Sequence, residues 1–176
     1  MDKENQLSKY VIVDMETTGF GREEDRILRL DAVRITDGGI TDVFSEYIRQ
    51  DAEISPAVTE LTGIDNSITD SAKDEAAVIG DFLKFAGDDP IVSFDPEFDM
   101  KFLKAACLRC GTSIHNPYIN LRDTCKRLIP GIKRYSTETV ARELGVEMGV
   151  NNEKKEVMIL ADIFLKLYNT AEYKPD

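Results

Sequence analysis

Histidine and cysteine are scarce in this sequence, and long apolar runs are missing altogether. The one histidine, His115, sits in a loop ahead of Pro117 and reads as an ordinary turn residue. The three cysteines, Cys107, Cys110 and Cys125, are an odd number, and the polar opening MDKENQLSK has no signal-peptide pattern. Reduced thiols and a cytoplasmic location are therefore expected. Cys107 and Cys110 have CxxC spacing, but they lie in a helical pattern and no second pair completes a zinc site. No run of about eighteen apolar residues occurs, which excludes a membrane-spanning helix.

Positive charge is also in short supply. Against 33 Asp and Glu there are 22 Lys and Arg, a formal net charge of -11. That balance argues against non-specific nucleic-acid binding through a broad basic face. It leaves room for a pocket that takes in one strand end, because bound cations offset acidity locally. One basic cluster, Lys126, Arg127, Lys133 and Arg134, reads equally as a phosphate-contacting patch, which would carry no base specificity, or as solvated surface. The 176 residues show no internal repeat or linker. They read as one domain, 1–176, with 1–8 and 171–176 loosely held.

What is present begins with VIVDMETTGF at 11–20, an apolar run ending in Asp14 and Glu16. Strand side chains alternate faces, so these two acids point the same way, about 7 Å apart along the strand. Neighbouring carboxylates raise each other's pKa unless a cation stands between them, and hard divalent ions such as Mg²⁺ take oxygen ligands of this kind. A metal site is the expectation.

The rest of the chain supplies a frame. Strands are expected at 9–14, 26–36 and 41–49, with a hairpin turn at Asp37-Gly38-Gly39, giving an antiparallel meander. Ser55-Pro56 opens a short helix that closes at Thr62-Gly63. A helix over 71–86, a brief strand at 90–92, a helix over 97–110 and a strand at 118–119 follow. Helices at 121–129, 136–144 and 153–169 complete the pattern. The fold class is α/β: one mixed sheet, three antiparallel strands then shorter parallel ones, with helices on both faces.

Asp14-Met15-Glu16-Thr17-Thr18-Gly19 and Phe98-Asp99-Met100-Lys101-Phe102-Leu103 are similar to the first two motifs of the DEDD superfamily of 3'-5' exonucleases. Thr62-Gly63-Ile64 and the stretch from Asp123-Thr124 to Pro130-Gly131 also resemble segments of those enzymes, nearest to the proofreading exonucleases of bacterial replicative polymerases. The resemblance implies a ribonuclease H-like sheet and hydrolysis assisted by two divalent ions, Mg²⁺ or Mn²⁺. It assigns Asp14, Glu16, Asp99 and Glu156 as metal ligands. It places the terminal nucleotide against Thr17, Thr18, Gly19, Leu61, Gly63 and Phe102. The implied partners are a single-stranded DNA or RNA 3' end and a DNA polymerase, with no membrane.

The third motif departs from the family. Where His, four residues and Asp are usual, anchoring on VMILADIFLKL puts Asn151 and Glu156. An amide positions water but takes up no proton near neutrality, and lost general-base assistance costs about 10²- to 10⁴-fold. The extra methylene of Glu156 shifts its carboxylate by about 1.5 Å. Two further departures are Phe94-Asp95-Pro96 in place of a His-Asn-Ala run, and Arg29 and Asp31 in place of an acid and a glycine. Lys155, beside Glu156, reads as a solvated helix residue or a phosphate contact. The expected function is a metal-dependent 3'-5' exonuclease-type domain with weakened catalysis; the alternative is an inactive pseudo-nuclease that binds nucleic acid or protein.

Overall fold

The computed structural model describes residues 9–149 and 155–168. Five strands form one sheet: β1 (Lys9–Thr17), β2 (Ile27–Thr36), β3 (Gly39–Tyr47), β4 (Ile91–Ser93) and β5 (Tyr118–Asn120), in the order β3-β2-β1-β4-β5. The first three pair antiparallel, and β1, β4 and β5 pair parallel. The mixed sheet expected from the strand pattern is the one observed. Asp37 and Gly38, with φ of 52° and 75°, close the β2–β3 hairpin. Both central residues of this two-residue turn have positive φ, the conformation that favours Asp-Gly.

Alternation along β1 sorts its side chains onto two cores. Tyr10 and Ile12 join Val33 and Ile35 of β2 on one face. There they pack against α5 (Leu121–Leu128), α6 (Thr137–Glu143) and α7 (Glu156–Tyr168), with Phe164 and Tyr168 against Tyr10. Val11, Val13 and Met15 face the other way. They meet α3 (Glu75–Ala86) and α4 (Pro96–Arg109) through Phe82, Phe102 and Leu103.

The helix starts follow capping chemistry, in which a side-chain oxygen accepts a free first-turn N–H. Ser55 caps α1 (Pro56–Thr62), Asp74 caps α3, Asn120 caps α5 and Ser136 caps α6. The helix expected from residue 71 begins later because Asp74 takes the cap. A four-residue helix, α2 (Asn66–Thr69), capped by Asp65, falls where no helix was expected. Cys107 and Cys125 are buried free thiols, Cys110 is half-buried, and His115 is an exposed loop residue bonded to the Ser113 hydroxyl at 2.8 Å.

Phe82 and Phe164 sit at the centres of the two cores, both fully buried. Truncation of either to alanine is expected to cost about 3 to 5 kcal/mol in urea unfolding. Leu108→Ala, at an exposed site, is expected to stay within about 0.5 kcal/mol of wild type.

Candidate active site

β1 delivers two acids to one end of the sheet. Asp14 and Glu16 continue the face of Tyr10 and Ile12 beyond the apolar cluster, at the strand's C-terminal end. A third comes from the next strand. β1 and β4 run parallel, with Ile12 beside Val92, so both leave the sheet at the same edge. β4 ends at Ser93, and the chain turns through Phe94 and Asp95 into α4, whose first turn carries Asp99. Glu156 opens α7, which crosses β1 and β2. Asp14, Asp99 and Glu156 line one cavity of about 420 Å³ together with Phe94, Phe98 and Arg122.

These acids repel one another. The Asp14 carboxyl is pushed well above its ordinary range, first by burial, then by the charges of Glu156, Asp99, Glu16 and Asp31. Glu16 is raised by burial, with the Arg29 guanidinium opposing the shift. Asp99 rises from 3.8 to about 7, chiefly by burial, against the lowering effect of its hydrogen bond from the Ser93 hydroxyl. Among the described residues no three His, Cys, Asp or Glu side chains form a ready-made metal cage. Protein partners hold two of the acids instead: Ser93 holds Asp99, and Arg29 stands 4.0 Å from Glu16. An all-carboxylate donor set in which Asp14 is raised by the charges of the other three acids fits hard divalent cations such as Mg²⁺ or Mn²⁺.

Strand β2 adds a second charge system beside the first. Register places Asp31 opposite Asp14 and Arg29 opposite Glu16, so all four side chains share a face. Asp31 is only 1% exposed, and its carboxylate accepts from Arg29 Nε at 2.6 Å. Lys155, one residue before Glu156, reaches the same carboxylate at 3.4 Å and the Ser45 hydroxyl at 2.6 Å. Lys155 is half-exposed, yet its ammonium is engaged by Asp31 and Ser45 rather than free on the helix face. It ties the start of α7, and hence Glu156, to the sheet.

The loop after β1 closes on Asp25, which accepts from the Thr18 hydroxyl at 2.9 Å and the Gly21 N–H at 2.8 Å. A Cβ on Gly19 would stand 2.4 Å from this carboxylate, so a side chain there would displace Asp25 from its bonds to Thr18 and Gly21. The Thr17 hydroxyl donates to the Gly19 carbonyl at 2.6 Å. Leu61, on α1, is 79% exposed, and Gly63 ends that helix with φ 73°. Phe102 is 1% exposed in the core beneath Phe98, whose ring lies 4.8 Å away. Phe98, with Phe94, supplies the aromatic wall of the cavity in place of Phe102; Phe98 and Phe102 occupy the same helix face one turn apart, so the sequence pattern does not separate them. Asn151 lies outside the described residues.

The RNase T exonuclease family model matches residues 11–149. The chain belongs to this DEDD exonuclease family. It is 31% identical over 167 residues to the DNA polymerase III epsilon subunit of Aquifex aeolicus, covering 94% of this chain and 83% of that protein. It is 30% identical over 164 residues to the PolC-type DNA polymerase III of Clostridium perfringens, but spans only 11% of that protein's length. Among solved structures it is similar to exonuclease X in complex with 5' overhanging duplex DNA, at TM-score 0.73, 22% identity and 94% of both chains. It is also similar to E. coli exonuclease I with a dA16 oligonucleotide, at TM-score 0.79, 18% identity, 93% of this chain and 41% of that one. At these identities the structural likeness is one of fold. No helix among the described residues is long and apolar enough to cross a membrane.

Three outcomes follow for this member of the exonuclease family. Removing Arg29 leaves buried Asp31 with only the half-exposed Lys155, so Arg29→Met is expected to cost about 3 kcal/mol in denaturant unfolding. Lys155→Met is expected to cost about 1 kcal/mol or less. Asp99 binds its proton up to about pH 7 when folded and, unfolded, releases it near the ordinary aspartate value of about 3.9. Its contribution is therefore complete at low pH and lost as pH rises through about 7. Without divalent metal, the melting temperature of wild type relative to Asp99→Asn is expected to fall between pH 5 and pH 7.5; parallel curves would contradict the assignment.

Proposed function

We propose that this chain is a divalent-metal-dependent 3'-5' exonuclease-type domain that acts on single-stranded 3' ends, with hydrolysis slowed by its altered third motif. The observation that carries the reading is the convergence of Asp14, Glu16, Asp99 and Glu156, from β1, α4 and α7, at one end of the sheet. Mg²⁺ or Mn²⁺, two ions by analogy with the family, would be held by these four carboxylates and would supply water activation and charge neutralisation at the leaving oxygen. The DNA in the exonuclease X and exonuclease I structures supports a nucleic-acid substrate.

The chain's own groups bind and orient. Backbone at Thr17, Thr18 and Gly19, the exposed Leu61, the helix end at Gly63 and the Phe98 ring seat the terminal nucleotide. By its chemistry the Asn151 amide takes up no proton from water near neutrality, and Glu156 presents a carboxylate one methylene longer than aspartate. A misplacement near 1 Å can cost about a hundredfold in rate.

The rival reading is a binding module without turnover, favoured by one observation: Arg29 already offers a counter-charge to Glu16. A 5'-labelled single-stranded oligonucleotide with Mn²⁺ separates the two. A ladder of shortened products from wild type and none from Asp14→Ala supports the exonuclease; no ladder, with a metal-induced rise in melting temperature, supports the binding module. Asn151→His with Glu156→Asp is expected to raise the rate at least about tenfold. The epsilon-subunit relative suggests a polymerase partner, for which hydrolysis should appear or strengthen when that polymerase is added.

A further inference from the structure

Among the described residues, one basic side chain lines the acidic cavity. It is Arg122, in the first turn of α5, and it shares the cavity with five acids: Asp14, Asp95, Asp99, Glu138 and Glu156. Its guanidinium lies 4.9 Å from the centre of the Phe94 ring, and Nη1 donates to Asp95 at 3.4 Å. Nε is buried and meets no hydrogen-bond acceptor among the described residues. Asp95 is the N-cap residue of α4 yet makes no side-chain cap bond; its carboxylate is turned to Arg122 instead.

A 3.4 Å contact is long for a charge-assisted hydrogen bond, and the two side chains are 37% and 49% exposed. Pairs of this kind hold weakly. A desolvated donor without an acceptor is unfavourable, so the resting position of Arg122 is incompletely satisfied, and a shift of the guanidinium toward an incoming oxygen relieves that penalty. The planar fork of a guanidinium matches two oxygens of a phosphate. Asp95 and Glu138 lie outside the proposed metal-ligand set, so cation loading does not neutralise them for an arriving phosphodiester. Lys126, by contrast, pairs with its neighbour Asp123 at 2.7 Å on exposed surface and does not line the cavity.

Resting on the exonuclease reading above, we propose that Arg122 exchanges Asp95 for a backbone phosphate of the bound strand, with Phe94 as the platform that holds the guanidinium in place. This makes Arg122 a substrate-binding residue that grips any sequence alike.

The test is fluorescence anisotropy of a labelled oligothymidylate with phosphorothioate linkages, titrated with wild type in Mn²⁺ over a salt series. Arg122→Gln is expected to weaken binding about tenfold and to flatten the slope of log affinity against log salt by about 0.7, the value for one phosphate of a single strand. Arg122→Lys should recover part of the affinity. Asp95→Asn should tighten binding, and this gain should vanish in the Arg122→Gln background. Lys84→Gln, on α3, should change nothing. Wild-type affinity and slope in Arg122→Gln would overturn the inference alone, as would an Asp95→Asn gain that persists without Arg122. Should Arg122→Gln fold poorly, Arg122→Lys takes its place: weaker binding than wild type and a smaller Asp95→Asn gain in that background support the inference, and an Asp95→Asn gain of wild-type size there overturns it. A wild-type protein that binds no oligonucleotide would overturn this inference and the exonuclease reading together.

Discussion

Repulsion among carboxylates gathered at one end of the sheet is the constraint on which the rest of this structure turns. Burial already disfavours the charged form of Asp14, and four further acids add to the penalty. A folded protein tolerates such a cluster only by protonation, by fixed counter-charges or by bound cations. Parts of the first two are visible. Asp99 has a raised pKa and a hydroxyl partner in Ser93, and Arg29 stands near Glu16 while bonding buried Asp31. The third is what an exonuclease of this family is built to accept.

The fold brings the acids together by simple means. Two strands that run parallel side by side must end at the same edge, so acids placed at the end of β1 and just after β4 meet without any special loop. A helix that buries its apolar face on β1 and β2 then sets its first turn over that edge, and Lys155 fixes the landing by reaching Asp31 and Ser45. The two cores on either side of the sheet thus supply rigidity to a site that is itself electrostatically unfavourable. Stability resides in Phe82 and Phe164, while the charge conflict is confined to the end where the cavity opens.

Much of this was legible in the residue order. Alternation in VIVDME put Asp14 and Glu16 on one face, the Asp-Gly turn gave the hairpin, and Ser55-Pro56 to Gly63 gave a capped helix. The four-residue helix Asn66–Thr69 was not legible, because a single turn carries no periodicity. Partners distant in sequence were hidden too. Nothing near Lys155 announces Asp31, which lies 124 positions earlier. Basic residues counted along the chain drew attention to the cluster from Lys126 to Arg134, which read equally as phosphate contact or solvated surface, whereas the arginine inside the cavity, Arg122, stands alone between Leu121 and Asp123. Phe98 and Phe102, one turn apart, have equal standing in a helical pattern until packing buries one and leaves the other at the cavity.

The most direct measurement is a ¹³C NMR titration of the side-chain carboxyls in the metal-free protein, repeated with saturating Mg²⁺. The expected result is a carboxyl assigned to Asp99 that titrates near pH 7 without metal and drops by a unit or more when Mg²⁺ binds. Carboxyls at Asp14, Glu16 and Asp99 that all titrate near 4 without metal, and do not move when it is added, would contradict the picture of a charge cluster awaiting a cation.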